Sequence, residues 1–270
     1  MSLRIQNNVE AFNASRMLVG NSDRLAKSME KLSSGYRINR GAEDAAGLAI
    51  SEKLRGQIGG LAQATRNTQD AISMVQTAEG ALNEVHSMLQ RVRELAVQYK
   101  NGTLGTNDRQ AIQSEVDQLK GEIERIGSET NFNGIDLLKS GSTTISFQVG
   151  ASDSQQITVA TISVGAQVAS TVFALSSAST QTDIQQIDDA INNISAARAV
   201  FGAVQNRLEH TIANIASYQE NLTASESRIR DADMASEMVQ FTKLQILQQA
   251  GTSMLSQANQ APQSVLSLLR

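Results

Sequence analysis

The sequence predicts a mainly α fold, an elongated helical rod and coiled coil with one small β-hairpin region, and three observations carry that expectation. Of 270 residues only 3% are aromatic, with no Trp and a single Pro, while 40% are hydrophobic. Such a chain builds long helices packed by small and aliphatic side chains rather than a bulky globular core. Second, Ile184, Ile187, Ile191, Ile194, Phe201, Leu208, Ile212, Ile215 and Leu222 recur three and four residues apart, with Arg198, Gln205 and Gln219 filling skipped positions. As one helix this heptad-like seam would run roughly 58 Å, against about 18 Å for the radius of gyration of a globule of this length. Third, no side chain from Leu244 to Leu269 can ionise, although a terminus in water has no reason to avoid charge.

Taken in order, Leu18, Leu25 and Leu32 recur at seven-residue spacing with Met29 beside them, which predicts an amphipathic helix within residues 1–40. The glycines of "SSGYRINRGAEDAAGLAISEKLRGQIGG" suggest a linker with small-residue packing, since no GxxxxGK followed by Ser or Thr marks a phosphate loop. Leu82, Val85, Leu89, Val92, Leu95 and Tyr99 form one stripe, and Ile112, Val116, Leu119, Ile123 and Ile126 another. Between them "YKNGTLGTND" has the turn chemistry of an antiparallel helical hairpin. Alternation of Ile145, Phe147 and Val149, then Ile157 and Val159, with Gly150 and Asp153 between, predicts a β-hairpin within about 142–165, followed by irregular chain to Gln181. Thr182 and Gln185 make a capping box that starts a helix near 183, returning through 184–230. Residues 231–270 close the chain as a further helix, with Leu244, Leu247, Gly251, Met254 and Ala258 in a three-and-four rhythm. The two end helices can pair, but a two-helix pair leaves much apolar surface wet, so further partners are expected.

Composition also excludes. A net charge of -4 with dispersed Lys and Arg argues against nucleic acid and anionic membranes. The uncharged tail is interrupted by Gln245, Gln248, Gln249, Ser253, Ser256, Gln257, Asn259, Gln260, Pro262 and Gln263, so membrane insertion is not expected. No Cys is present for disulfides or thiolate metal sites. The amino terminus "MSLRIQNNVE" lacks the apolar core of a secretory signal, so a protein that leaves the cell would do so by another route. His86 and His210 stand far apart without a ligand pattern, and carboxylates sit at helix-surface spacing beside Lys and Arg. Neither a catalytic pair nor a metal or cofactor site is expected, and the sequons at Asn13, Asn101, Asn193 and Asn221 fall mostly in helical patterns.

"RINRGAEDAAGLAISEKLRGQ" (37–57), "LQRVRELAVQ" (89–98), "NFNGIDLL" (131–138), "NLTASESRIRDADMASEM" (221–238) and the closing "APQSVLSLLR" together resemble bacterial flagellin, over roughly residues 1–140 and 184–270. The resemblance implies a subunit that polymerises into an extracellular flagellar filament and gives motility. It further implies export through the flagellar type III apparatus, with an export chaperone and a cap protein as partners. On that pattern 1–40 and 231–270 are filament-core helices, 41–183 and 184–230 the two halves of a rod domain. Leu18, Leu25, Leu32, Leu247, Met254, Val265, Leu266, Leu268 and Leu269 are the expected assembly residues, the uncharged tail being buried by neighbouring subunits. Some flagellins are recognised by Toll-like receptor 5 through the rod, and "LQRVRELAVQ" resembles the contact helix, with Gln90, Arg91 and Leu95 as contacts and Glu115 beside them. The chain departs from the family pattern at Gly141 to Thr182, about forty residues standing where large outer domains are usually inserted. A hook-filament junction protein shares the terminal helices, though "NLTASESRIRDADM" favours the filament subunit. A cytoplasmic coiled-coil signalling rod would share the heptads but has less reason for an uncharged tail.

Overall fold

Long helices form here because the chain supplies good helix formers for tens of residues, with a single Pro, Pro262, confined to the last turns of α6, and capping groups at helix ends. The computed structural model describes residues 8–139, 144–168, 170–175 and 182–268. Helix α1 spans Val9–Ser34; the Asn8 side chain accepts the Ala11 N–H at its start, and Gly35, at φ 75°, ends it in the left-handed conformation while donating its N–H to Lys31 O. Helix α2 runs Ala45–Tyr99, α3 Thr106–Glu129, α5 Thr182–Arg230 and α6 Met234–Leu268, with a one-turn α4 at Val164–Gln167 and a 3-10 turn at Ser170–Phe173. The α5 start lies within one residue of the place its capping pattern predicts; the Thr182 side chain is outside the described residues.

The chain folds as two compact units, residues 1–56 with 221–270 and residues 57–220. In the second unit three helices are ordered by a heptad seam on α2 that is longer than its large residues reveal. Leu61, Ala64, Thr68, Ala71, Val75, Ala78, Leu82, Val85, Leu89, Val92 and Ala96 are all buried and alternate three and four apart without a break. Opposite it, α5 buries Ile187, Ile194, Phe201, Leu208 and Ile215 at seven-residue spacing, with Ala190, Ala197 and Val204 between. Ile184 and Ile191, which the sequence puts on the seam, sit only partly buried at its edge. Pairs Glu79·Arg198, Arg93·Asp188 and Lys100·Asp183 fix α2 and α5 as antiparallel, because the residue numbers fall on one as they rise on the other. Arg91·Glu115 and the Arg109 guanidinium over the Tyr99 ring do the same for α2 and α3, the helical hairpin that "YKNGTLGTND" predicts.

Strands β3 (Thr144–Gln148) and β4 (Gln156–Ala160) pair antiparallel, Thr144 opposite Ala160 and Phe147 opposite Ile157. The alternation works as expected: Ile157 and Val159 are buried while Gln156, Thr158 and Ala160 are exposed. The hairpin sits on α2 through Asn67 Nδ2, which donates to Gln148 O at 3.2 Å. Bare backbone at Gly60 permits the approach, since a Cβ there would stand 3.1 Å from the Ala151 Cβ.

A second, minimal hairpin was not expected. Strands β1 (Asn131–Phe132) and β2 (Ile135–Asp136) turn at Asn133 and Gly134, with φ of 50° and 79°. Asn-Gly is the strongest short signal for such a two-residue turn, and here it sits in only two flanking residues on each side, too few for alternation to show. The linker expectation also needs correction, because helix begins at Ala45 and continues through its glycines. Glycine inside a helix weakens it by only about 1 kcal/mol, which tertiary packing overrides. The chain after β4 is not wholly irregular: Val164 N–H donates to Leu138 O and seats α4 beside α3.

Leu89→Ala is expected to lower unfolding free energy by about 3 kcal/mol, because Leu89 has no exposed surface, whereas Val97→Ala on the same helix, half exposed, should change it by less than about 0.5. Guanidinium denaturation followed by circular dichroism checks both; equal losses would place the seam elsewhere.

Candidate functional site

Two surfaces carry the functional expectations, one in each unit. In the first unit α1 and α6 pack on one another. The α1 face turned inward is Ala11, Ala14, Leu18, Asn21, Leu25, Ser28 and Leu32; the α6 face is Glu237, Phe241, Leu244, Gln248, Gly251, Leu255 and Ala258. Both follow three-and-four spacing, the seam of a coiled coil. Polar groups set the register: Asn8 Nδ2 donates to Ala258 O at 2.7 Å, Asn21 Nδ2 to Leu244 O at 2.8 Å and Ser28 Oγ to the Glu237 carboxylate at 2.5 Å. Numbers again fall as they rise, so the pair is antiparallel.

Leu18, Leu25 and Leu32 thus lie in the seam as their spacing suggests. Leu247 and Met254 do not: they are 48% and 65% exposed, and Gln248 and Leu255 hold the seam positions next to them. With Ala14, Met17, Leu18, Asn21, Ala250 and Gly251 they line an open apolar groove between the two helices. Val265, Leu266 and Leu268 lie on the last turns of α6, their side chains beyond the described ones, and Leu269 is outside the described residues. Leu18 approaches so closely that a Cβ on Gly251 would stand 3.1 Å from its Cδ1. Sequence reading noted Gly251 in the rhythm but gave it no role; a glycine carries no hydrophobic signal. Along α6 a further apolar patch is formed by Met238, Val239, Ile246 and Leu247 with Thr242 and Lys243.

The two motifs "RINRG" and "SRIRDADM" meet at the α5–α6 junction. Tyr36 and Asp231 form an antiparallel bridge, Arg37 N–H donates to Arg230 O at 2.6 Å, and Ala232 N–H donates to Gly35 O at 2.9 Å. The Arg37 guanidinium donates through Nε and Nη2 to Ile229 O, satisfying a carbonyl at the end of α5. Arg230 lies over the Tyr36 ring, 4.8 Å from its centre, and is paired with Glu52. That hydrogen bond holds the Glu52 carboxyl below its ordinary range. The Asn39 backbone N–H does the same for Glu43, which caps the turn before α2. Asp44 Oδ1 accepts the Gly47 N–H, and a Cβ at Gly47 would stand 2.9 Å from Ile38 Cδ1, so a larger residue there would make the Ile38 and Asp44 side chains shift.

In the second unit Gln90, Arg91 and Glu115 are exposed on neighbouring faces of α2 and α3. Arg91 donates to Glu115 Oε1 from Nε at 3.0 Å and Nη2 at 2.8 Å, and from Nη1 to Glu94 at 3.1 Å. The Glu115 hydrogen bond first, then Glu94, raises the guanidinium further above its already high range. Gln90 Nε2 lies 3.0 Å from His86 Nε2. Leu95 does not join them: it is 2% exposed and belongs to the core beside Val92 and Ala96. The expectation of a Leu95 surface contact is therefore corrected. Its place in the three-and-four stripe already implied burial.

Among the described residues no group of three His, Cys, Asp or Glu could hold a metal ion, and no helix is long and apolar enough to cross a membrane. A mainly helical chain whose apolar seams are paired internally, while further apolar faces stand open, defines a structural protein that completes its packing with other chains. The comparisons give that class a family. The bacterial flagellin N-terminal helical region matches residues 5–144 and the C-terminal helical region matches residues 184–269. A flagellin of Halalkalibacterium halodurans is 52% identical, covering 98% of this chain and 99% of its own, and a Bacillus subtilis flagellin is 48% identical, covering 99% and 100%. The crystal structure of Bacillus cereus flagellin superposes with a TM-score of 0.53 at 35% identity, over 60% of this chain and 94% of its own. The chain belongs to the bacterial flagellin family.

Below the ordinary carboxylate range of about 4.3, the junction should weaken. Glu52 and Glu43 have lowered folded values, so their stabilisation is present above the unfolded value and lost as pH falls through the folded one. Amide exchange at Arg37 and Ala232, corrected for intrinsic rates, is expected to quicken from about pH 5 to about pH 3, and less so in Glu52→Gln. Unchanged protection across that range would remove these carboxylates from the junction.

Proposed function

We propose that the chain assembles through its first unit, with residues 1–40 and 231–270 as filament-core segments and 41–183 with 184–230 as the rod domain. Membership of the flagellin family makes it a structural subunit that polymerises into the flagellar filament, and not an enzyme. The observation that supports this route of assembly is where apolar surface is left open. Twelve of the sixteen large hydrophobic side chains exposed among the described residues lie in the first unit, the smaller of the two. A monomer that keeps such faces in water would aggregate; a polymer covers them. Heterologous contacts that do not close generate a helical tube. Leu18, Leu25 and Leu32 then act by holding the α1–α6 pair, Leu247 and Met254 by meeting neighbouring copies, and Val265, Leu266, Leu268 and Leu269 by anchoring the uncharged tail. Export without a cleaved signal through the flagellar type III apparatus, with an export chaperone and a cap protein, completes the proposal and puts the filament outside the cell. Seeded elongation viewed by electron microscopy tests it: the full chain should extend filament fragments, and a chain ending at Asn259 should not. Elongation by both chains would remove the tail anchors.

A second reading concerns recognition by Toll-like receptor 5 through Gln90, Arg91 and Glu115. Its support is the forked Arg91·Glu115 pair, which presents a rigid charged surface across two helices. Leu95 then acts by packing α2 and not by contact. Arg91→Ala should raise the concentration needed for half-maximal signalling about tenfold in receptor-bearing reporter cells. A variant that signals as strongly as the parent removes Arg91 from the surface.

A further inference from the structure

The placement of sulfur in this chain is uneven. It has no Cys, so its eight methionines hold all the oxidisable sulfur. Of the seven described, Met17, Met29, Met234, Met238 and Met254 are exposed and all lie in the first unit; Met74, 3% exposed, and the partly buried Met88 lie in the second. Met17 and Met254, at 79% and 65% exposure, flank the groove between α1 and α6, and Met238 lines the apolar patch on α6. Thioethers are placed where a peroxide can reach them in the free subunit and where, on the assembly reading above, neighbouring copies cover them.

We infer that Met17, Met238 and Met254 are a reversible oxidation site that couples subunit assembly to peroxide. A sulfur lone pair attacks one peroxide oxygen, the O–O bond breaks, and the departing hydroxide takes a proton to leave as water. The thioether has lost two electrons and become a sulfoxide, and hydrogen peroxide has been reduced to water. The side chain is no longer apolar: in the groove it sets an S=O acceptor among Ala14, Leu18, Leu247, Ala250 and Gly251, where the one amide, Asn21, already donates to Leu244 O, and on the α6 patch, where Thr242 and Lys243 stand near Met238, it takes away apolar surface. Folding of the α1–α6 pair survives, because the three methionines lie off the seam; docking of the next copy does not. Methionine sulfoxide reductases reverse the change at the expense of a dithiol, returning the oxygen as water. Assembled subunits keep their methionines shielded, so the switch acts on subunits that have not yet been incorporated.

The test uses the full chain, as monomer and as seeded filament, under the same graded hydrogen peroxide, with sulfoxides located by peptide mass spectrometry. In the monomer Met17, Met238 and Met254 should oxidise well before Met74; in the filament they should be protected. The critical concentration for elongation should rise about tenfold for each oxidised methionine in the faces, a factor equivalent to about 1.4 kcal/mol, and return after reductase treatment. The triple variant Met17→Leu, Met238→Leu, Met254→Leu, judged against its own untreated critical concentration, should lose most of the peroxide response; circular dichroism checks that it folds, and reductase rescue of the parent chain needs no variant. Oxidised monomer that elongates as well as untreated monomer overturns the inference, as does equal oxidation in monomer and filament. Untreated full chain that never elongates seeds overturns the assembly reading itself, an outcome distinct from either.

Discussion

Everything in the first unit follows from how little two helices can hide. Each helix of a pair buries one stripe against the other, a third or less of its circumference, and any further apolar residue faces solvent. α1 and α6 spend their stripes on Leu18, Leu25 and Leu32 against Phe241, Leu244 and Leu255. Their remaining apolar residues have no partner within the pair. Polar groups on the seam keep this arrangement from sliding. Asn21 bound to Leu244 O and Ser28 bound to Glu237 would each lose a partner if the pair shifted by a turn, leaving a buried polar group unsatisfied. Such groups give up some stability for a fixed register. A fixed register also fixes which side chains point outward, and therefore, on the proposed assembly, what a neighbouring copy would meet.

The second unit solves the same problem differently. Its long helices share one seam, and α3 with the β3–β4 hairpin covers what two helices would leave bare. Alanines at alternate seam positions, such as Ala71, Ala78, Ala190 and Ala197, take the place of bulk. Small residues allow close approach at the cost of buried area per contact, so length makes up the difference. That trade accounts for a chain with so few aromatic residues.

Legibility in the sequence tracked side-chain size. Helices carrying Leu and Ile at three-and-four spacing were readable, as was the hairpin of β3 and β4, whose large residues alternate. The first half of the α2 seam cannot be read the same way: of its residues between Leu61 and Leu82 only Val75 is bulky, and Ala64, Thr68, Ala71 and Ala78 are scarcely registered by a hydrophobicity pattern. The same blindness put Ile191 on the seam of α5 where Ala190 is the buried neighbour. Leu95 shows the opposite failing, since its pattern pointed inward while its motif pointed to a surface contact, and the pattern prevailed. The Tyr36–Asp231 bridge joins residues from opposite ends of the chain, which no periodicity within either motif can announce.

Charge is distributed by the same constraint. Arg91·Glu115, Arg93·Asp188 and the Arg125 fork to Glu122 and Glu129 lie on the open faces of the second unit, where each pair adds little stability but keeps its surface hydrated. After Lys243 the described part of α6 has no ionisable side chain, and Gln and Ser stand where a solvated helix would use Lys and Glu. Covering an ion costs several kcal/mol unless a well-placed partner arrives with it, while an amide can exchange water for a neighbouring helix's groups. A helix intended for permanent solvent has no use for that economy of charge. Burial by identical copies, the assembly proposed above, would give it one, because each uncompensated charge would be repeated at every subunit along the polymer.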